Sequence, residues 1–250
     1  LNGNQTALMF VYYLITRWKE LGKINGKEYI VKTIVTTETI KTIAERNGVE
    51  MYDVYTGFKW IANVMRENEG KKNYIGGGEE SYGFLCEDFV RDKDAVSACG
   101  ILAEIAAWAK DQGLSLYQLL QKIYVEYGFS KEKGISVVKK GKSGAEEIEA
   151  MMKKFRENPL TEIAGSKVTY FYDYSTLKGK DYAENETVTL DMPTASNVLQ
   201  YFTEDNTKVS IRPSGTEPKI KFYCEVHSKV KSIDELPEAE KAAEDFKDIK

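Results

Sequence analysis

Histidine is almost missing from this chain. His227 is the only one in 250 residues, so no histidine-based metal centre can be assembled, and any catalysis must draw on carboxylates, hydroxyls, lysines and arginines. Cysteine is scarce too. Cys86, Cys99 and Cys224 stand far apart, which reads as reduced thiols in a cytosolic protein, not as a disulfide framework. A basic excess is lacking: 35 basic against 39 acidic residues leave a net charge of -4, and no nucleic-acid partner is expected. No apolar run is long enough to cross a bilayer, so no membrane partner is expected either. Leu1-Asn2-Gly3-Asn4-Gln5 shows no basic segment leading into an apolar stretch, and no initiator Met precedes it. The expectation is a piece of a longer protein without a secretory signal. Internal repeats and low-complexity tracts are absent as well.

What is present is an ordinary soluble mixture, 42% hydrophobic and 30% charged, in a length that suits one large domain or two ordinary ones. The first half alternates helix and strand signals. Leu8, Val11, Tyr12, Ile15 and Trp18 predict a helix over 5–21. Tyr29 to Val35 reads as a buried strand. A helix over 37–46 follows, with Thr36 or Thr37 as its cap and Gly48 as its stop. Strand 49–54, helix 58–67 and a short strand 73–75 running into Gly76-Gly77-Gly78 continue the pattern. Asp94 to Gln112 is the longest helix, with Val96, Cys99, Leu102, Ile105, Ala106 and Ala109 as its buried face and Gly113 as its stop. Ser115 caps a further helix to about Glu126. This alternation implies α/β architecture: a layered domain with a mainly parallel, mixed sheet.

Past Gly128 the texture changes. Ile135 to Val138 reads as a strand, residues 143–156 as a helix ending at Asn158-Pro159, and 167–172, 187–190, 198–202, 209–211 and 220–226 as strands. A last helix is expected over 238–250, with Pro237 in its first turn. Strands between flanking helices imply a smaller α+β domain with an antiparallel sheet. The division is placed at 1–128 and 129–250.

Two loops carry chemistry. Arg212-Pro213-Ser214-Gly215-Thr216-Glu217-Pro218-Lys219 lies between two strand candidates. Arg212 offers a planar donor fork, Ser214 and Thr216 offer hydroxyls, Gly215 admits close backbone approach, and Lys219 adds a charge. By chemistry alone this fits a phosphate monoester site or an ordinary Pro- and Gly-rich hairpin turn. Gly77-Gly78-Glu79-Glu80-Ser81-Tyr82-Gly83 sets paired carboxylates beside a serine, suited to vicinal hydroxyls or to a solvated acidic turn.

The first loop resembles the C-terminal phosphate-binding loop of the α-D-phosphohexomutase superfamily, and the second its Gly-Glu-Glu-Ser-aromatic-Gly sugar-binding loop. Thr56-Gly57-Phe58-Lys59-Trp60 and Arg91-Asp92-Lys93-Asp94 resemble two further family segments, one selecting substrate orientation and one near the transferring phosphate. Phe89 to Val96 and Ile123 to Gly128 look like the bacterial phosphoglucomutase/phosphomannomutase group with its phosphopentomutase-like subgroup. Leu1 to Gln5 resembles the start of the third of four domains, and the smaller domain then corresponds to the TBP-like C-terminal one.

The resemblance implies that Arg212, Ser214, Gly215, Thr216 and Lys219 bind the phosphate that is not transferred. It implies that Glu79, Ser81, Thr56, Gly57 and Lys59 bind the sugar, that Lys93 is the catalytic candidate, and that Arg91 is a further one. The implied reaction is isomerisation of glucose 1-phosphate and glucose 6-phosphate in carbohydrate metabolism. A phosphoserine transfers its phosphoryl group, glucose 1,6-bisphosphate is the intermediate and activator, and Mg2+ neutralises the developing charge. The phosphoserine and Mg2+ belong to domains 1 and 2 of the full-length phosphoprotein. No Thr-Ala-Ser-His-Asn-Pro-like segment occurs here; Thr194-Ala195-Ser196 continues as Asn197-Val198 and reads as a turn into a strand. No Asp-x-Asp-x-Asp-Arg loop occurs either, since Asp92 and Asp94 lack a third carboxylate. The fragment is therefore expected to bind a phosphosugar and to be inactive alone. The alternatives are part of a phosphopentomutase or phosphomannomutase, or a non-catalytic sugar-phosphate-binding or structural module.

Overall fold

Capping decides where the chain begins to coil. Asn2 accepts from the Gln5 amide while the Gln5 side chain accepts from the Asn2 amide, a reciprocal cap that starts α1 (Gly3–Glu20) two residues earlier than predicted. The computed structural model describes residues 1–139, 141–215 and 217–245, apart from the side chains of Lys142 and Asp245. Two compact units divide the chain. One is Leu1–Ser130 with Ser228–Ala239; the other is Lys131–His227 with the chain from Glu240 on.

In the first unit α1 is followed by β1 (Glu28–Thr33), α2 (Thr39–Arg46), β2 (Glu50–Val54), α3 (Phe58–Asn68), β3 (Asn73–Gly78), β4 (Phe84–Cys86), α4 (Ala95–Asp111) and α5 (Leu116–Tyr127). The sheet order is β2-β1-β3-β4. β1 pairs parallel with β2 and β3, and β4 returns antiparallel to β3. All six residues of β1 are buried, as expected where both faces of a sheet are covered. On one face Tyr29, Val31, Val54 and Tyr74 pack with Phe58, Ile61 and Met65 of α3. On the other, Phe10 of α1 meets Phe84 edge-on at 4.7 Å.

Several local expectations need correction. The cap of α2 is Glu38, not Thr36 or Thr37, and it makes no side-chain capping bond. Thr37 Oγ1 still accepts from the Thr39 amide at 3.4 Å, while its own amide donates to Asn4 Oδ1 at 3.0 Å and its hydroxyl bonds Ser130 Oγ at 3.1 Å. Strand β4 was not anticipated, being three residues long. In α4 only Ile105 and Ala109 are buried, whereas Val96 is 83% exposed and Cys99 is exposed. Apolar spacing tells which residues share a helix face, not whether a neighbour covers it. Asp94 caps α4 through the amides of Val96 and Ser97, and Ser115 with Gln118 forms a reciprocal cap on α5.

The second unit is built on a sheet ordered β5-β12-β11-β10-β7-β8-β9, with β6 beside β7. Its elements are β5 (Phe129–Val138), α6 (Gly141–Glu157), β6 (Glu162–Ile163), β7 (Ser166–Asp173), β8 (Lys178–Asp181), β9 (Glu186–Thr189), β10 (Leu199–Thr203), β11 (Lys208–Pro213) and β12 (Lys219–Ser228). The pairs from β12 through β9 are antiparallel. Ile148 and Met152 of α6 pack on Leu199, Tyr201, Ile211 and Ile220. β5 starts six residues before the predicted strand, because its charged first half becomes a strand by pairing with β12. The short β6 and β8 were not expected. The closing helix, α7 (Leu236–Asp245), begins at buried Leu236 with Pro237 in its first turn; residues 246–250 of the predicted helix lie outside the described residues. Among the described residues no helix is long and apolar enough to cross a membrane.

Candidate functional site

In the first unit three loops meet at the C-terminal ends of parallel strands, where open α/β sheets place ligands. β2 leads into Thr56-Gly57. Gly57 has φ 112°, a backbone state in which L side chains are strained. Its amide donates to Glu79 Oε1 at 2.8 Å. Glu79 opens the turn between β3 and β4, and its amide donates to the Gly83 carbonyl at 2.7 Å. A Cβ added to Gly83 would lie 3.0 Å from Glu79 Oε2 and 3.1 Å from Lys93 Cδ, so Lys93 and Glu79 flank the same glycine. The Lys93 ammonium stands 5.7 Å above the Phe58 ring and 3.1 Å from Asp92 Oδ1. That lysine holds the Asp92 carboxyl below its usual range through a direct hydrogen bond. Thr56, Gly57, Glu79 and Lys93 are thus brought together.

Other predicted residues point differently. Ser81 is exposed at the loop tip beside Tyr82, which takes φ 71° and donates its hydroxyl to the Leu1 carbonyl. Lys59 is exposed, its ammonium 5.0 Å over the Trp60 ring. Arg91 pairs with Glu69 at 3.2 Å and donates to the Asp88 carbonyl. Glu80 turns inward, where Thr33 Oγ1 donates to its Oε2 at 3.4 Å. A Cβ on Gly3 would lie 1.9 Å from the Glu80 carbonyl oxygen, so α1 starts directly against this loop.

Sequence reasoning passed over Lys32. It is 1% exposed and its ammonium lies 2.7 Å from Asp53 Oδ1 and 2.9 Å from Glu38 Oε1. The signal was a lysine inside a strand that otherwise reads as buried.

In the second unit Arg212 to Lys219 forms the turn of the β11–β12 hairpin. Arg212 stands opposite Lys221, and Pro213 opposite Ile220. The Ser214 amide donates to the Lys219 carbonyl at 2.7 Å, the Lys219 amide donates to the Glu217 carbonyl at 2.7 Å, and the Lys139 amide donates to the Pro218 carbonyl at 2.8 Å. Lys219 also pairs with Glu217 at 2.7 Å and holds that carboxyl below its usual range. Arg212, Ser214 and Lys219 are half-buried and Gly215 is exposed. Thr216 lies outside the described residues.

The cavity of about 690 Å³ in this unit is not that site. Val209, Ile211, Phe222 and Cys224 line it. Alternation along a strand puts Ser210 and Arg212 on the other face. Ser196 sits in the stretch before β10 with its amide bonded to the Tyr174 carbonyl. Among the described residues no group of three His, Cys, Asp or Glu could hold a metal ion. Asp94 is occupied in capping α4 and Asp92 in pairing with Lys93, so these residues do not fit a magnesium site.

A mixed sheet with three loops at its parallel strand ends, followed by an antiparallel domain, is the two-domain α/β arrangement of this chain. Comparison with known proteins makes this specific. Residues 2–127 match the phosphoglucomutase/phosphomannomutase alpha/beta/alpha domain III, and residues 136–243 match the C-terminal domain of the same family. The chain belongs to the phosphoglucomutase/phosphomannomutase family. It is 38% identical over 222 residues to a phosphoglucomutase of Staphylococcus aureus (strain MRSA252), an alignment covering 89% of this chain and 39% of that protein. With the phosphoglucomutase of Staphylococcus haemolyticus it is 34% identical over 225 residues, covering 90% and 40%. The chain thus spans about 40% of the length of these curated relatives. Among solved structures, the open form of parafusin from Paramecium, a phosphoglucomutase, shares the fold with a TM-score of 0.60 at 17% identity, covering 93% of this chain and 38% of that one. A putative phosphomannomutase from Thermus thermophilus does so with a TM-score of 0.58 at 18% identity, covering 97% and 41%.

Proposed function

We propose that this chain is the sugar- and phosphate-binding part of a phosphoglucomutase that interconverts glucose 1-phosphate and glucose 6-phosphate. We assign residues 1–128 to its third domain and 129–250 to its fourth. The observation that carries the reading is that Glu79, which accepts from the Gly57 amide, and Lys93 flank Gly83 at the parallel strand ends, in a chain more than 30% identical to phosphoglucomutases.

Glu79 and Ser81 hydrogen-bond sugar hydroxyls, with Thr56, Gly57 and Lys59 shaping the approach. Lys93, with Arg91 further out, stabilises negative charge on the phosphoryl group in transfer. Arg212, Ser214, Gly215, Thr216 and Lys219 hold the other phosphate. Gly215 supports this assignment. Its φ lies outside the left-handed region and an added Cβ would meet nothing within 4 Å. The fold therefore tolerates a side chain there, and close approach of an anion is what calls for glycine.

The reading leaves the phosphoserine and Mg2+ to domains 1 and 2 of the complete protein, with glucose 1,6-bisphosphate formed between half-reactions. It also makes the protein a cytoplasmic phosphoprotein, in keeping with its free thiols. The 250-residue chain then binds phosphosugar weakly and does not turn it over. A coupled mutase assay with added glucose 1,6-bisphosphate tests this. Turnover by the chain above a buffer control would refute the division of labour, and no activity in the complete protein would refute the reading itself. A kcat/KM for ribose phosphate above that for glucose phosphate would shift the substrate to a pentose.

A further inference from the structure

We infer that Lys32 is a positioning residue of the sugar loop, tying the turn after β1 to the end of β2 so that Glu79 and Glu80 keep their places. The inference rests on the reading of Gly77 to Gly83 as sugar-binding. In register, Lys32 stands beside Asp53 of β2 and Gly78 of β3, one residue before Glu79. Its ammonium lies 2.7 Å from Asp53 Oδ1, 2.9 Å from Glu38 Oε1 and 3.4 Å from the Thr36 carbonyl. Each of these acceptors suits a donor of the lysine ammonium.

A buried ion pair rarely outdoes apolar residues of the same size in net stability, so the contribution of this cluster is geometry. It runs along two paths. Asp53 lies three residues before Thr56, and the Gly57 amide donates to Glu79. Thr36 and Glu38 belong to the turn after β1, where Thr36 Oγ1 bonds Thr33 Oγ1 at 2.8 Å and Thr33 Oγ1 donates to Glu80 Oε2 at 3.4 Å. One ammonium therefore joins both segments that hold the paired glutamates. Without it the turn after β1 and the end of β2 lose the bridge that joins Glu38 to Asp53.

The test combines hydrogen exchange on the 250-residue chain with NMR titrations of glucose 6-phosphate and inorganic phosphate. Lys32→Met is expected to speed exchange at 33–39 and 78–83 at least tenfold and to lower the preference for glucose 6-phosphate over inorganic phosphate at least tenfold. Exchange in α5 and affinity for inorganic phosphate stay within twofold. Lys32→Arg, which keeps the charge, restores part of the preference. Glu38→Gln removes one arm of the tie without stranding a buried charge; it shifts both readouts in the same direction by less and serves if Lys32→Met does not fold. Folded variants with unchanged loop exchange and unchanged preference overturn the proposal, as does acceleration spread equally over the chain. A parent chain that shows no preference for glucose 6-phosphate overturns the sugar-loop reading instead, and the exchange data separate that failure from a failure of the tie.

Discussion

The two loops answer to different masters. The loop from Gly77 to Gly83 is woven into its unit: Gly57 donates to Glu79, Thr33 to Glu80, and the start of α1 presses on the Glu80 carbonyl. In the β11–β12 hairpin the Ser214, Lys219 and Lys139 amides bond the Lys219, Glu217 and Pro218 carbonyls, while a Cβ added to Gly215 would meet nothing within 4 Å. Residues of the first loop thus serve fold and site together. At Gly215 in the second, by contrast, the fold leaves open space for a side chain. Substitutions should therefore separate stability from binding in the second unit and fail to separate them in the first.

The sharpest challenge to that contrast is Gly3→Val. Its Cβ has no room beside the Glu80 carbonyl, and overpacking of this kind costs about 3 kcal/mol. Chemical denaturation should show the loss, together with accelerated exchange at 78–83; an unaltered midpoint would mean the loop is not braced by α1. Next comes Glu79→Ala, which strips the Gly57 amide of its acceptor. A lost charge-assisted bond costs about 2 kcal/mol, so kcat/KM of the complete enzyme should fall roughly thirtyfold and the melting temperature should drop with it. Retained stability alongside lost activity would place Glu79 with the open loop instead.

Gly215→Ala should do what Glu79→Ala cannot. Stability should stay within about 0.5 kcal/mol, while phosphate affinity falls about tenfold, or 1.4 kcal/mol; parallel losses in both would erase the contrast. The smallest effect is in acid. Burial pushes the Glu28 carboxyl up, but amide bonds from Asn25 and Gly26 and the Asn73 side chain outweigh it and hold the carboxyl below its ordinary value. A depressed carboxyl contributes stability above its unfolded value of about 4.3 and loses it as pH falls through the folded value. Glu28→Gln should cost about 1 kcal/mol at neutral pH and flatten the stability curve below pH 5. Glu217, also held low but exposed on the hairpin, should leave that curve unchanged when replaced by Gln.

Much of the fold was legible. The cap at Ser115, the helix from about Asp94 and the stops at Gly48 and Gly113 are local, decided by side chains within a few residues. Strand β8, Lys178-Gly179-Lys180-Asp181, was not, because it has no apolar pattern and exists by pairing with β7 and β9. The exposed Val96 shows the converse: a good helical pattern whose partner face cannot be read from spacing.

The site divides the same way. Sequence by itself determined which residue types lie in which loop, because Glu79-Glu80-Ser81 and Arg212 to Lys219 are contiguous and their chemistry is local. Only the tertiary structure decided which cation goes where. Lys93 folds over Gly83 beside Glu79, Lys59 lies along Trp60, and Arg91 turns to Glu69. Lys32, anonymous in its strand, reaches Asp53 and Glu38 because parallel register aligns two strands that are distant in the chain. A charge acts through space, and the sequence orders residues along the chain alone.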